Sequence, residues 1–427
     1  MYISYHDLEI EQSKDLDYKI GTFIEAVKSV LAVCRHRPAL AFSGGKDSAV
    51  LWDAFRRFFP EWIPRLIIIY GNTGIEYPEC VRFARFLKNE WGHGNFYEAL
   101  PGRTETEGLK YAAQQEILNY LINTSQISDY LKDDGKLKST IGLERAATPA
   151  MREKFERENL IWPAGTRQTF WWASDQYGWP LLGKARSKLK ARRINIDCFL
   201  QFSKSISKDP KLLAYYKLLK QVKFSQACCD ILKKDPSEKL QAELDVDVIF
   251  KGLMAAESRT RQTNFTTRGY LFESTRDHLN GDPFWHCNPL SIWTDDDIWA
   301  YIHRFNVPYA TLYDMGWTDK NGTFHKIKRN GCMGCGTDLL YPNNHMAMLR
   351  RTHPKQWMAF MKKGLAAEIQ KLRIASNKGQ ISIMDVYGVD WLLEDRPCIF
   401  DRIDGVYLDD ETLVDGEEEE FDPEVAA

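Results

Sequence analysis

Six residues, Ser43-Gly44-Gly45-Lys46-Asp47-Ser48, constrain this chain more than any other stretch. They follow a short apolar run, Ala39–Phe42, and precede a helical pattern through Ala49, Val50, Leu51, Trp52 and Phe55. A strand that passes through a glycine turn into a helix can hold a phosphate. Glycines let backbone N–H groups approach anionic oxygens, and the helix N-terminus adds its positive dipole end. Ser43 and Ser48 add hydroxyl donors, and Lys46 adds a point charge. A plain Gly-Gly turn would meet the same spacing, but the strand–helix context favours phosphate. The spacing is not the GxxxxGK[ST] of a Walker loop, so γ-phosphate transfer is not the natural reading.

The flanking pattern sets the fold class. Residues 17–35 have helical apolar spacing, Leu66–Tyr70 is a β-branched run, and a turn-rich stretch leads to a helix starting at Pro78. Such alternation predicts an α/β fold: a Rossmann-like parallel sheet with helices on both faces. We divide the chain into a nucleotide-binding half (1–102), a helical insertion (103–225), a second half of the same domain (226–345), a C-terminal helical region (346–408) and an acidic, mobile tail (409–427). The second half holds a strand at Val246–Leu253 and a capping box headed by Thr294, with Asp297 three residues on. A later helix is expected over 352–372, with Pro354 near its start.

Charge is unevenly spread. Lys and Arg number 57 against 59 Asp and Glu, a net of −2. Ten of those acids, and no base, lie in 409–427, which leaves the remaining chain at +8. Near-neutrality therefore does not exclude a polyanionic partner. A basic run, Lys184, Arg186, Lys188, Lys190, Arg192 and Arg193, follows Trp162, Trp171, Trp172 and Trp179. Those aromatics suit either a core or base stacking. No stretch approaches a membrane span and no secretory signal is visible, so a cytoplasmic setting is expected, with its nine cysteines reduced.

Cysteine spacing suggests a metal. Cys228-Cys229 and Cys332-Met333-Gly334-Cys335 can together make a four-sulfur environment, suited to a [4Fe–4S] cluster or to structural zinc. Glycines at 331, 334 and 336 leave room for a loop to wrap a bulky cluster. Cys34, Cys80, Cys198, Cys287 and Cys398 read as lone buried thiols.

FSGGKDSAVL resembles the PP-loop of the ATP pyrophosphatase superfamily, which implies ATP bound with Mg²⁺ and cleaved between its α and β phosphates. Asn72-Thr73-Gly74 matches the second nucleotide segment of that fold. The order SQACCDILKKDP, GLMAAESRTR, NPLSIWTDDDIWAYI and NGCMGC is similar to the phosphoadenosine phosphosulfate reductase family, over about residues 38 to 340. The resemblance implies a cluster on Cys228, Cys229, Cys332 and Cys335. It places Arg259 and Arg261 near the phosphate or sulfate of the substrate, with Lys46 and Asp47 in catalytic positions. Lys233 and Lys234 would face the cluster, the nucleotide or solvent, and Glu257 would orient Arg261.

Two departures refine this expectation. The Glu-Cys-Gly context of the catalytic cysteine in sulfonucleotide reductases is not found here, and Cys398 in RPCIFDR does not match it. The SGGKDS loop is intact, whereas those reductases generally carry a degenerate one. Together the loop and the four cysteines resemble the sulfur-transfer enzyme of DNA phosphorothioation and, more loosely, cluster-dependent tRNA thiolases. The expectation is ATP-dependent sulfur transfer, served by a sulfur donor or reductant protein, to an acceptor such as DNA or tRNA. A sulfonucleotide reductase using an external thiol and a nucleic-acid-binding component of a modification or defence complex are the alternatives.

Overall fold

An uninterrupted run such as Ile67-Ile68-Ile69 has no polar face to offer water, so it needs cover on both sides. The computed structural model gives it that. The structure describes residues 4–90, 94–181, 191–203, 219–318, 323–337, 345–369 and 371. Lys184, Arg186, Lys188, Lys190, Cys398 and the acidic stretch 409–427 lie outside them.

The strands among the described residues are β1 (Arg37–Phe42), β2 (Ile67–Gly71), β3 (Phe96–Ala99), β4 (Gly108–Leu109), β5 (Ile161–Trp162), β6 (Val246–Lys251), β7 (Leu271–Thr275) and β8 (Pro283–Cys287), with a short antiparallel pair, β9 (Gly316–Thr318) and β10 (Phe324–Lys326), further on. Six of them form one sheet in the order β3-β2-β1-β6-β8-β7. All neighbours run parallel except β7, which pairs antiparallel with β8. The expected α/β fold with a mostly parallel sheet is therefore present. On one face, Ala39, Ile67, Ile69, Val246, Ile249 and Phe284 form a buried cluster. Elsewhere Phe55, from the helix Lys46–Phe58, meets Phe250 edge-on at 4.7 Å. The Thr294 capping box forms as expected at the start of the helix Asp295–Phe305.

The chain divides into two units: Met1–Leu100 with Lys233–Gly331, and Pro101–Leu232 with Cys332–Ala427. The first holds the sheet. Among its described residues the second is mainly helical, with Tyr111–Asn123, Thr140–Arg145, Pro149–Arg157, Phe170–Tyr177 and Arg193–Phe202, plus the antiparallel pair β4–β5. Its core gathers Leu109, Ile117, Leu121, Leu143, Phe155, Ile194 and Cys198. Inside it Gln114 donates to the Leu109 carbonyl and to Glu144, which in turn accepts from the Leu109 N–H. This pairing offsets the cost of burying an amide and a carboxyl.

Two expectations shift. The helix expected over 352–372 is interrupted: His345–Thr352 ends before Pro354–Phe360, and Gly364 further on has φ 116°. Proline at a helix start and glycine in the left-handed region account for both breaks. Cys80, Cys198 and Cys287 are buried as expected, whereas Cys34 is only half-buried, its thiol donating to Asp247 at 3.3 Å. No helix among the described residues is long and apolar enough to cross a membrane.

On β8, next to the edge strand, His286 stacks on Phe272 at 4.7 Å, and burial together with Lys251 pushes its pKa down to about 3. The neutral ring accepts from Lys251 at 3.4 Å through Nδ1 and donates to Ser274 Oγ at 3.1 Å through Nε2. Between its ordinary value of 6.5 and about 3 the unfolded chain binds a proton that the folded chain does not, so stability falls as pH drops through that window. Urea titrations from pH 7 to 4 should show this slope, and His286→Gln should flatten it; an unchanged slope in the variant would contradict the assignment.

Candidate functional site

In open α/β sheets ligands bind beyond the carboxyl ends of the strands, where the strand order reverses. Here β1 lies between β2 and β6, so the connections depart in opposite directions from β1. Ser43–Gly45 leaves the end of β1, Asn72–Gly74 leaves β2, and Gly252 leaves β6. The sequence-predicted residues of the first unit thus gather at this crevice.

The loop is built without room for side chains. Gly44 has φ +69°, and a Cβ on it would sit 2.7 Å from the Cys80 carbonyl oxygen. A Cβ on Gly45 would lie 2.8 Å from Asn330 Oδ1, and one on Gly252 would lie 3.0 Å from the Asp47 carbonyl oxygen. Asn330 donates to the Ser43 carbonyl at 3.1 Å. Ser48 Oγ donates to the Gly45 carbonyl at 2.8 Å and accepts from the Ser43 N–H at 3.3 Å. The helix Lys46–Phe58 begins immediately after, so its dipole end faces the turn. Its first N–H, on Lys46, donates to Tyr313 Oη at 3.2 Å.

Lys46 differs from the bare point charge expected of it. The residue is 2 % exposed, and its amine lies 2.8 Å from Asp47 Oδ1 and 2.6 Å from Asp295 Oδ1. A buried ammonium needs such partners. Asp295 comes from the first turn of a helix some 250 positions downstream, which no local pattern could reveal.

The second segment is equally fixed. Thr73 donates through both its N–H and its hydroxyl to Glu76, at 2.9 and 2.7 Å. Gly74 N–H donates to Asn72 Oδ1 at 3.0 Å, and Asn72 Nδ2 donates to Glu98. Burial raises the Glu76 carboxyl above its usual range, opposed by the Thr73 bond and by the charge of Lys233. Lys233 itself is exposed.

Ser258 caps the helix Arg259–Arg268. Arg259 is exposed, whereas Arg261 is half-buried and ion-paired with Glu257, the i,i+4 pairing that the spacing suggested. Burial and the neighbouring Arg329 lower the Arg261 guanidinium below its ordinary value, while Asp47 acts against them. Arg329 donates to the Glu257 carbonyl at 2.6 Å. A cationic group therefore stands close enough to the phosphate loop to feel its acid. Asn330, Tyr313 and Asp295 escaped the sequence reading because each reaches the loop only through the fold, as Arg329 reaches Glu257.

The four cysteines fall together in the second unit. Cys229 first, then burial, then Cys332 and Cys335 raise the Cys228 thiol far above its ordinary value. Cys335 N–H donates to the Cys332 carbonyl at 3.0 Å, closing the turn, and Gly336 N–H donates to the Pro180 carbonyl. A Cβ on Gly334 would collide with Phe360 and Phe170 at 2.6 and 2.8 Å, so this turn requires glycine. Among the described residues no group of three or more His, Cys, Asp or Glu side chains is arranged to hold a metal as it stands. Four thiolates repel one another, so a closed cage needs a cation at its centre. Four thiolates are the donor type that a sulfur-ligated metal takes.

The fold and loop define an open α/β protein with a tightly packed glycine turn at its topological switch. Comparison with known proteins takes this further. The phosphoadenosine phosphosulfate reductase domain matches residues 37–160 and 142–337, and the chain belongs to that family. It is 31% identical over 106 residues to an adenosine 5'-phosphosulfate reductase of Burkholderia cepacia, covering 25% of this chain and 37% of that protein. It is 28% identical over 102 residues to a phosphoadenosine 5'-phosphosulfate reductase of Xanthomonas axonopodis pv. citri, covering 23% and 36%. The chain thus spans about a third of the length of the curated relatives it matches. A phosphate complex of the Candida auris phosphoadenylyl-sulfate reductase superposes with a TM-score of 0.31 at 11% identity, over 74% of this chain and 93% of that one. That superposition carries no weight beside the strand order.

Gly44→Ala should weaken ATP binding at least about tenfold by calorimetry. A left-handed alanine costs about 1–2 kcal/mol before its clash with Cys80 is counted. Ser48→Ala, which adds no atoms, should weaken it less. Wild-type affinity in Gly44→Ala would show that the loop does not hold the phosphates.

Proposed function

We propose that this member of the family cleaves ATP to AMP and pyrophosphate and transfers sulfur to the acceptor so activated. The observation that carries the reading is the intact Ser43–Ser48 loop, packed without space for side chains at the carboxyl ends of β1 and β6.

An acceptor oxygen attacks the α-phosphorus of ATP. The bond to the β-phosphate oxygen breaks, and pyrophosphate leaves with Mg²⁺. Sulfide then attacks the activated centre, and the bond to the adenylate oxygen breaks to release AMP. No net electrons are needed. Main-chain N–H groups of the loop hold the phosphates, with Arg259 and Arg261 adding charge. Lys46 exchanges a carboxylate for a phosphate oxygen as the nucleotide enters. Asp47 and Asp295 offer the hard oxygen ligands that Mg²⁺ takes. Cys228, Cys229, Cys332 and Cys335 would hold a [4Fe–4S] cluster, which when bound supplies an iron site for sulfide; zinc is the alternative for the same donors. A sulfur-donor or reductant protein would deliver the sulfur, DNA or tRNA would be the acceptor, and a cytoplasmic setting would keep the thiols reduced.

A second reading is favoured by the names of the relatives. In it the chain reduces a sulfonucleotide to sulfite and an adenosine phosphate, with an external dithiol supplying two electrons.

The two readings separate in one assay. Anaerobically purified protein given ATP with tRNA or DNA should release pyrophosphate, and Gly44→Ala should not. Sulfite released from adenosine phosphosulfate or its 3'-phosphate with thioredoxin, without pyrophosphate from ATP, would establish the reductase instead. Release of orthophosphate would contradict the α–β cleavage.

A further inference from the structure

The second unit contains a cavity of about 560 Å³, within the ~300–1,000 Å³ common for small-molecule sites. Trp162, Trp171 and Trp179 line it, together with Lys110, Lys363, Ser174 and Arg193. Nothing in the ATP chemistry uses these residues.

Two donors within it are unmet. Ser174 is 2 % exposed and Arg193 9 %, yet Ser174 Oγ and Arg193 Nε have no hydrogen-bond partner among the described residues. Buried donors left this way are costly unless a ligand meets them. The acids of the lining are already occupied. Asp175 accepts from Tyr111 N–H, Trp162 Nε1 and Gln176 Nε2, at 3.0, 3.2 and 2.9 Å. Glu368 accepts from Arg193 at 3.3 Å and from Lys371 at 2.9 Å.

The net charge of the remaining lining is positive, Lys110 and Lys363 against Asp175. Lys110 Nζ lies 4.7 Å over the Trp162 ring, and Lys363 Nζ lies 4.6 Å over Trp171. A cationic ligand would meet ammonium groups already seated on those rings. A purely apolar ligand would leave both buried donors unmet. What fits is a planar aromatic body that carries hydrogen-bond acceptors and a negative group.

We propose that this cavity binds a nucleotide. As Lys110 and Lys363 leave the tryptophan rings to meet its phosphate, its base takes the Trp162 face, and Ser174 Oγ and Arg193 Nε donate to it. The aromatic wall also places it beside the cysteine turn. Trp171 and Trp179 pack on Phe170, at 5.5 and 5.4 Å, and Phe170 and Phe360 are the rings that abut Gly334. The geometry belongs to the second unit alone, so the proposal stands apart from the ATP reading.

The probes are a fluorescent ten-nucleotide single strand, as DNA and as RNA, and AMP as competitor. They are applied to the full chain carrying Gly44→Ala, so that the phosphate loop does not contribute. The strand should bind, and Trp162→Leu should weaken it about tenfold or more, as loss of one stacked base does. Lys363→Glu, at an exposed position that leaves the fold intact, should weaken it further at low salt and lower the salt slope by about 0.7. AMP competing with the same sensitivity to both variants would identify a free nucleotide as the source; strand binding that AMP does not displace would identify nucleic acid. Binding by neither probe, or affinities unchanged in both variants, would overturn the proposal. Failure of pyrophosphate release would leave it standing, and loss of strand binding would leave the ATP reading standing.

Discussion

The first unit depends on how closely other groups approach the turn between β1 and the helix Lys46–Phe58. Cys80 meets it at Gly44, Asn330 at Gly45, and the turn after β6 meets Asp47 at Gly252. Each contact is possible only because a side chain is missing. The elements that supply them are separated by up to about 280 residues of sequence, so the loop takes its final shape only when the sheet has assembled. This packing fixes N–H groups in advance, which lets an anion bind without a further cost of ordering.

Four neighbouring thiols set a different condition in the second unit. Cys228 is held neutral largely by Cys229, with burial and the two thiols of the later turn adding to the effect. That condition suits a site whose ligands ionise only when a cation arrives, because metal binding must then expel their protons. Phe170 and Phe360 close one side of the turn through Gly334 and leave no space for a larger residue. The same rings continue into the tryptophan-lined cavity, so a single aromatic layer serves the thiols on one side and the cavity on the other.

Local chemistry was legible in the sequence and long-range pairing was not. Gly44, Gly45 and Ser48 were readable because paired glycines and a hydroxyl between a strand and a helix announce a turn that can meet an anion. The parallel sheet followed from the apolar runs at 39–42, 66–70 and 246–253. The carboxylates on Lys46 were half legible: Asp47 is its neighbour, but Asp295 reads locally only as a first-turn acid. The tryptophans were ambiguous, and the structure divides them. Trp172 and Trp179 are buried, while Trp162 and Trp171 are half-exposed at the cavity. Composition favours a core for all four; only the fold shows which rings have a ligand-sized space beside them.

The central claim joins an ATP-cleaving loop to a sulfur-ligated iron cluster in one chain. Mössbauer spectroscopy of ⁵⁷Fe-enriched protein, purified without oxygen and paired with acid-labile sulfide analysis, tests the cluster directly. The account predicts the quadrupole doublets of a [4Fe–4S] cluster, with about four irons and four sulfides per chain, lost when Cys228 or Cys335 is changed to serine. Stoichiometric zinc with no labile sulfide, or iron that persists in both variants, would contradict it.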